Sequence, residues 1–380
     1  MFEWDFARSP LALPKGAGHG KPVKLERIEL AIDWTNASGG IEVAVAATAQ
    51  EFIDALRPSN SHWWEGASCP WVFRGHAYEE WQLLPSAWRP SNTILNNSIT
   101  EATRRFDAVQ PTQNLNWFWH PNYWSGSPAF GPRDAELSRL LTVQTTAEYL
   151  PVWDFISRCD ELGMPVPMQN LGPDPTTNPD WLADPHNPLF GDEFLRFSDL
   201  PAALALAQHH GIPTRLLDWT RDPMAAAFFA VEPLRVANAG AHLVVWALHK
   251  SHAQRVSVEG VSFPNAPNGA PRFDPTIAVV RPSTRDNPFL AAQAGLFTTI
   301  SRSGIYFMKS GGKRPGIAEF VSEANPAITV LRKLRLAHEH LADLIEILRR
   351  ENISRSALMP TMDNVAQDVR TKWAQQEMMD

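Results

Sequence analysis

The sequence predicts an α+β fold: a compact central sheet, mixed or antiparallel, with flanking helices and a mostly helical insertion. Three observations carry this. Short apolar strands are interspersed with capped or amphipathic helices, but the regular spacing of βαβ units is scarce. The chain has 380 residues, 44% hydrophobic and 20% charged, enough for a sizeable core. Its 32 prolines divide it into short elements joined by many loops.

In chain order, residues 1 to about 22 are rich in Pro and Gly and read as an extended lead-in, part of an arm over 1–40. A domain then spans 41–370, with an insertion at about 91–197, and 371–380 form a tail. "ERIELAIDW" (26–34) alternates apolar and polar residues, and "IEVAVAA" (41–47) is β-prone; both predict strands. Thr48 with Glu51 has capping-box spacing and opens a helix whose apolar face is Phe52, Ile53 and Leu56. "WVF" (71–73) predicts a buried strand, and "DAELSRLLTVQTTAEYL" (134–150) is helical in period. "NLGPDPTTNPDWLADPHNPLFGD" (170–192) is a long loop. Ser198 caps a helix through "DLPAALALAQHH", which Gly211 and Pro213 end. "TRLLDWT" is extended or turning, and Asp222–Pro223 is an N-cap followed by N1 for "PMAAAFFAV". "HLVVWALH" (242–249) and "GLFTTI" (295–300) predict strands, and "LAHEHLADLIEILRREN" (336–352) predicts an amphipathic helix.

A formal net charge of -7 gives no global attraction to nucleic acid or to an anionic membrane. No apolar run approaches the roughly 20 residues that span a bilayer. The opening "MFEWDFARSPLALPKG" lacks the apolar core of a signal peptide, and the two cysteines, Cys69 and Cys159, fit a reducing compartment. The expectation is a cytoplasmic protein that does not engage membranes. No metal-ligand set is read from the spacing. His209 and His210 are adjacent, and "HEH" (338–340) has Ala342 where HExxH needs its second His. "GGK" (311–313) has Arg314 where a P-loop needs Ser or Thr. "RKLRLAH" (332–338) is locally basic and reads as a solvated helix face.

The stretch "AQHHGIPTRLLDWTRDPMAAAFFA" (207–230) concentrates polar groups between two helices. The second helix offers free N–H groups and a partial positive charge near Thr220 and Arg221, suited to a phosphate. Arg215 and Arg221 would add charge-assisted bonds, and Trp219 could stack on a planar ring. The structural alternative is equally simple: Asp218 pairs with Arg215, Thr220 assists the cap and Trp219 is core.

Three segments together resemble the FRG domain family. "WVFRGHAYEEWQLLPSAWRP" (71–90) contains Phe73-Arg74-Gly75, then Leu83-Leu84-Pro85-Ser86 and Arg89. The 207–230 stretch is similar to the family's longest signature, and "NPFLAAQAGLFTT" (287–299) resembles a third. The tail "ILRRENISRSALMPTMDNVAQDV" resembles its usual ending. This identifies the 41–370 domain with that family, whose members are mostly bacterial and phage proteins.

A strand with Arg-Gly, then Thr ahead of "RDPMAAAFFA", is also similar to the ADP-ribosyltransferase pattern. That resemblance implies NAD as substrate, with Arg74 holding a phosphate or ribose and Thr220 ordering the pocket. It implies a third position near Gln293, where the superfamily carries a Glu; an amide cannot stabilise an oxocarbenium ion, so Asp218 is the substitute acid. Phe73, Gly75, Gln208, Arg215, Trp219 and Arg221 would complete the NAD site, with Tyr78 an alternative stacking ring and His209 a base for the acceptor. The expected function is an NAD-using ADP-ribosyltransferase or glycohydrolase, an effector of the toxin or phage-defence kind. Its acceptor would be nucleic acid or protein, and a partner protein would neutralise it. The alternatives are a non-catalytic module binding a nucleotide, nucleic acid or protein, and a metal-dependent nuclease or hydrolase using His209, His210 and Asp218.

Overall fold

The computed structural model describes residues 32–90, 92–109, 132–167, 200–234, 237–260, 274–282 and 295–376. In order, these form β1 (Thr35–Ser38), β2 (Ile41–Ala46), α1 (Ala49–Leu56), β3 (Trp71–His76), α2 (Thr93–Val109), α3 (Pro132–Glu161) and α4 (Leu200–His209). Next come β4 (Leu217–Thr220), α5 (Pro223–Val231), β5 (His242–His249), α6 (Lys250–Ala253), β6 (Thr276–Val280) and β7 (Gly295–Ser301). The chain continues with α7 (Ser303–Lys309), α8 (Ile317–Ala324), β8 (Leu331–Ala337), α9 (Leu341–Arg350), α10 (Arg355–Leu358) and α11 (Met362–Gln376).

The strands build one eight-stranded sheet in the order β1-β2-β8-β5-β3-β4-β7-β6. Only β2 with β8 is parallel among these pairs, so the sheet is mixed and the fold α+β, as the sequence predicts. Strand alternation divides the core in two. Val72, Val244, Trp246 and Leu248 join one cluster with Trp219 and Phe320. Trp71, Phe73, Leu243, Val245 and Ala247 join the other with Phe52, Trp63 and the α5 alanines. Fully burying a large apolar side chain contributes about 1.5–3 kcal/mol, so these two layers dominate stability.

Local chemistry sets where the helices begin. Thr48 Oγ1 accepts the Glu51 N–H at 3.1 Å, opening α1 as expected. Asp222 Oδ1 accepts the Met224 N–H at 2.8 Å with Pro223 at N1, opening α5. α5 then packs directly on β3 at Gly75. A Cβ there would lie 2.0 Å from the Ala226 carbonyl oxygen and 2.5 Å from the Ala230 nitrogen. Both are backbone atoms and cannot yield. Gly75→Ala is therefore expected to cost about 1–3 kcal/mol, seen as a lower denaturant midpoint at unchanged slope.

Several sequence expectations are revised. Of the strand expected at 26–34, residues 26–31 lie outside the described residues and 32–34 are not strand. The edge strand is instead β1, because a turn at Gly39–Gly40, with Gly40 at φ 77°, folds Thr35–Ser38 back onto β2. "RKLRLAH" is not a solvated helix face but largely strand β8, between β2 and β5. Its Leu331, Leu334 and Leu336 are buried, while Arg332 lies over the rings of Trp34, Trp63 and Trp71. The helix expected from 336 starts at Leu341. In the insertion, α2 and α3 are helical, and 110–131 and 168–199, with Ser198, lie outside the described residues.

Candidate functional site

β3 and β4 share one registered pair, Phe73 with Thr220. Beyond it a side chain links the two strands. Arg74 Nη1 donates to the Asp218 carbonyl at 2.9 Å and lies 2.7 Å from Asp218 Oδ1. A cleft of about 830 Å³ opens there, lined by Arg74, His76, Trp81, Arg89, Gln208 and Asp218, with His209 and Phe229. That volume suits a cofactor-sized ligand.

Charge concentrates on the β3 side. Arg74 Nε donates to His76 Nε2 at 3.0 Å, so the His76 proton sits on Nδ1 and points to the Trp81 carbonyl, 3.1 Å away. Burial, together with the Arg74 charge, pushes His76 down to about 3. Arg89 anchors its Nε on the Leu84 carbonyl at 3.1 Å. Burial and the Arg74 charge push its guanidinium down, and Asp218 pulls it back. The cleft walls desolvate the Asp218 carboxyl, which would raise it. Arg74, a hydrogen bond to its own backbone and Arg89 outweigh that and hold it below the usual carboxylate range. Gln208 Nε2 adds a bond to Asp218 Oδ1 at 3.1 Å. Burial, then the His210 charge, lowers His209, so its ring is neutral at pH 7.

The neutral His76 gives a pH test. Its folded value of about 3 lies below the unfolded 6.5, so between them the unfolded chain binds more protons. Its contribution is complete above pH 6.5 and is lost as pH falls toward 3. Between pH 7 and pH 5 this amounts to about 2 kcal/mol. Denaturant melts at the two pH values check it, with His76→Gln expected to flatten the dependence.

The structure sorts the residues singled out from sequence. Arg74, Asp218, Gln208 and His209 come together at the cleft. Phe73, Gly75, Trp219 and Thr220 border it in supporting roles. Phe73 is 1% exposed and packs edge-on against Trp63, so it is core. Gly75 is explained by its contact with α5. Trp219 is buried with Nε1 donating to Thr298 Oγ1 at 2.8 Å, so it cannot stack on a ligand. Thr220 Oγ1 accepts the Asp222 N–H at 3.0 Å, shaping the turn into α5.

Arg215 is not at the cleft. It is buried, and its Nε donates to Glu148 Oε2 at 2.8 Å, because a charge held in the core needs an opposite partner there. Arg221 is not at the cleft either. It lies near Lys250, whose ammonium burial, Arg281 and Arg221 push down. The start of α5 carries its own anion, Asp222, and it is Ala226, Phe229 and Glu232 further along that face the cleft. Tyr78 is held by Asn238 at 2.7 Å, and Trp81, 44% exposed, is an exposed indole in the cleft wall. His210 stacks on Phe155 at 5.5 Å. Gln293 lies outside the described residues.

Sequence reasoning missed His76, Trp81 and Arg89 as site residues. The signals were present: His76 follows Arg74 by two on a strand, hence on the same face, and Arg89 lies in the same 71–90 segment as Arg74.

No curated protein and no solved structure matches this chain. The FRG domain model matches residues 189–238, a span that contains α4, β4 and α5 and therefore Gln208, His209 and Asp218. Residues 189–238 carry the FRG domain, the family that the sequence motifs resemble.

Proposed function

We propose that the cleft binds an NAD-type dinucleotide and that the protein uses it as an ADP-ribosyl donor, by transfer or by hydrolysis. The observation that carries this reading is the Arg74–Asp218 pair at the cleft, 2.7 Å apart, with Arg89 as a second cation beside it. Breaking the nicotinamide–ribose bond asks for a clamp on the pyrophosphate and an anion facing the cation that develops at C1′. Two guanidiniums supply the clamp. Asp218, ionised at neutral pH, supplies the anion, and Trp81 offers a ring face. Nicotinamide departs with the bonding electron pair. Water or an acceptor nucleophile then bonds to C1′, passing its proton to neutral His209.

A second reading has its own observation. The Asp218 carboxylate already takes contacts from both Arg74 and Gln208, as a wall that recognises a ligand without converting it would. Purified protein incubated with NAD, with RNA, DNA and protein offered as acceptors, separates the two. Nicotinamide release supports the donor reading, and NAD bound but never consumed supports the binding module.

A further inference from the structure

Three side chains outside the cleft converge at the opposite end of β3. Glu65 lies on the loop before β3, His249 ends β5, and His252 lies on α6. Their ligand-type atoms all fall within 4.8 Å of one another. From this geometry we propose that Glu65, His249 and His252 form a binding site for a divalent transition-metal ion, zinc being the best match. Two imidazoles and a carboxylate are a donor set that zinc takes, leaving a position open to water. Donors in a tetrahedral shell with bonds of ~2.0 Å sit roughly 3.3 Å apart. The two rings are already stacked with centroids 3.5 Å apart and 18° between planes, and His249 Nε2 is 2.9 Å from Glu65 Oε1. Taking up one ion requires the two rings to turn out of the stack so that their lone pairs converge.

The surroundings hold the ligands in place. His252 Nδ1 donates to the Thr329 carbonyl at 2.7 Å, so its Nε2 keeps the lone pair. A backbone carbonyl on the far nitrogen is the usual orienting partner of a metal-bound histidine. His249 is registered opposite Trp71 on β3, and the Lys250 N–H is bonded to the Pro70 carbonyl at 3.0 Å. The His249 side chain is 2% exposed and that of Glu65 61%, a buried floor with an open mouth.

The exchange on binding is simple. His249 Nδ1 now accepts the His252 N–H at 3.1 Å, so the ring proton is on Nε2, facing Glu65. The cation takes the place of that proton, which moves to Nδ1. One helix-cap hydrogen bond is given up for a metal–nitrogen bond. The simpler alternative is that Glu65 and His249 merely tie a loop to the end of β5, with no affinity for metal.

Zinc titration of the full chain decides, read by calorimetry and by melting temperature. Expected are one equivalent bound, a higher melting temperature at saturating Zn²⁺, and affinity lowered at least about tenfold by Glu65→Gln and by His252→Ala. Glu65→Gln replaces an exposed side chain and is the variant least able to disturb folding. Absence of zinc binding by the natural chain overturns the proposal, as does binding that either substitution leaves unchanged, which would move the ion to other histidines.

Discussion

Glu148→Ala lowers the stability of the folded chain by about 3–5 kcal/mol, the usual cost of stranding one half of a buried ion pair. Glu148 is 4% exposed on α3 and joins three other parts of the chain. Arg215, before β4, donates from Nε to Oε2 at 2.8 Å, and Trp88 donates from Nε1 to Oε1 at 3.0 Å. Arg314 approaches within 3.8 Å. Removing the carboxylate leaves the Arg215 charge in the core and the Trp88 N–H without its acceptor. Arg215→Ala is expected to do comparable damage from the other side. A double replacement by apolar residues of similar volume, Glu148→Leu with Arg215→Met, should recover part of the loss, because the Arg215 charge leaves the core together with its partner, while the Trp88 N–H still loses its acceptor. Denaturant melts of the single and double variants check this. Additive losses would contradict it.

If the cleft works as the proposed NAD donor site, Asp218→Asn is expected to leave the fold intact and to lower kcat for NAD cleavage by about 10²–10³, the scale of one electrostatic transition-state contact. KM should change little, since the amide oxygen can still accept from Arg74 and Gln208. This split separates the donor reading from a structural role for the pair. A merely structural Asp218 would move the melting temperature and leave kcat per folded molecule unchanged. Steady-state kinetics with a circular dichroism melt of the same sample measures both.

The fold class and the meeting of Arg74 with Asp218 at one cleft were legible because local signals agree with the tertiary result there. Asp222–Pro223 opens α5 as its chemistry dictates, and the Arg-Gly on β3 faces the 207–230 stretch across adjacent strands. β8 was illegible for a physical reason. Lys333 and Arg335 look like solvated charges but pair with Glu79, and Arg332 pairs with Glu42 and lies over tryptophans. Those partners are hundreds of positions away and no local window contains them. Arg215 misled in the same way, since Glu148 is on the distant α3. The Glu65–His249–His252 group could not be read from spacing either, with Glu65 and His249 separated by 184 positions.

The central claim is that Arg74, held between Asp218 and His76, fixes the anionic part of an NAD-type ligand. Calorimetric titration of NAD into the natural chain and into Arg74→Ala tests it most directly. The account predicts saturable binding to the natural chain that weakens at least about tenfold in the variant, the value of a lost charge-assisted contact. Equal affinity in the two folded proteins, or no binding to the natural chain, would contradict it.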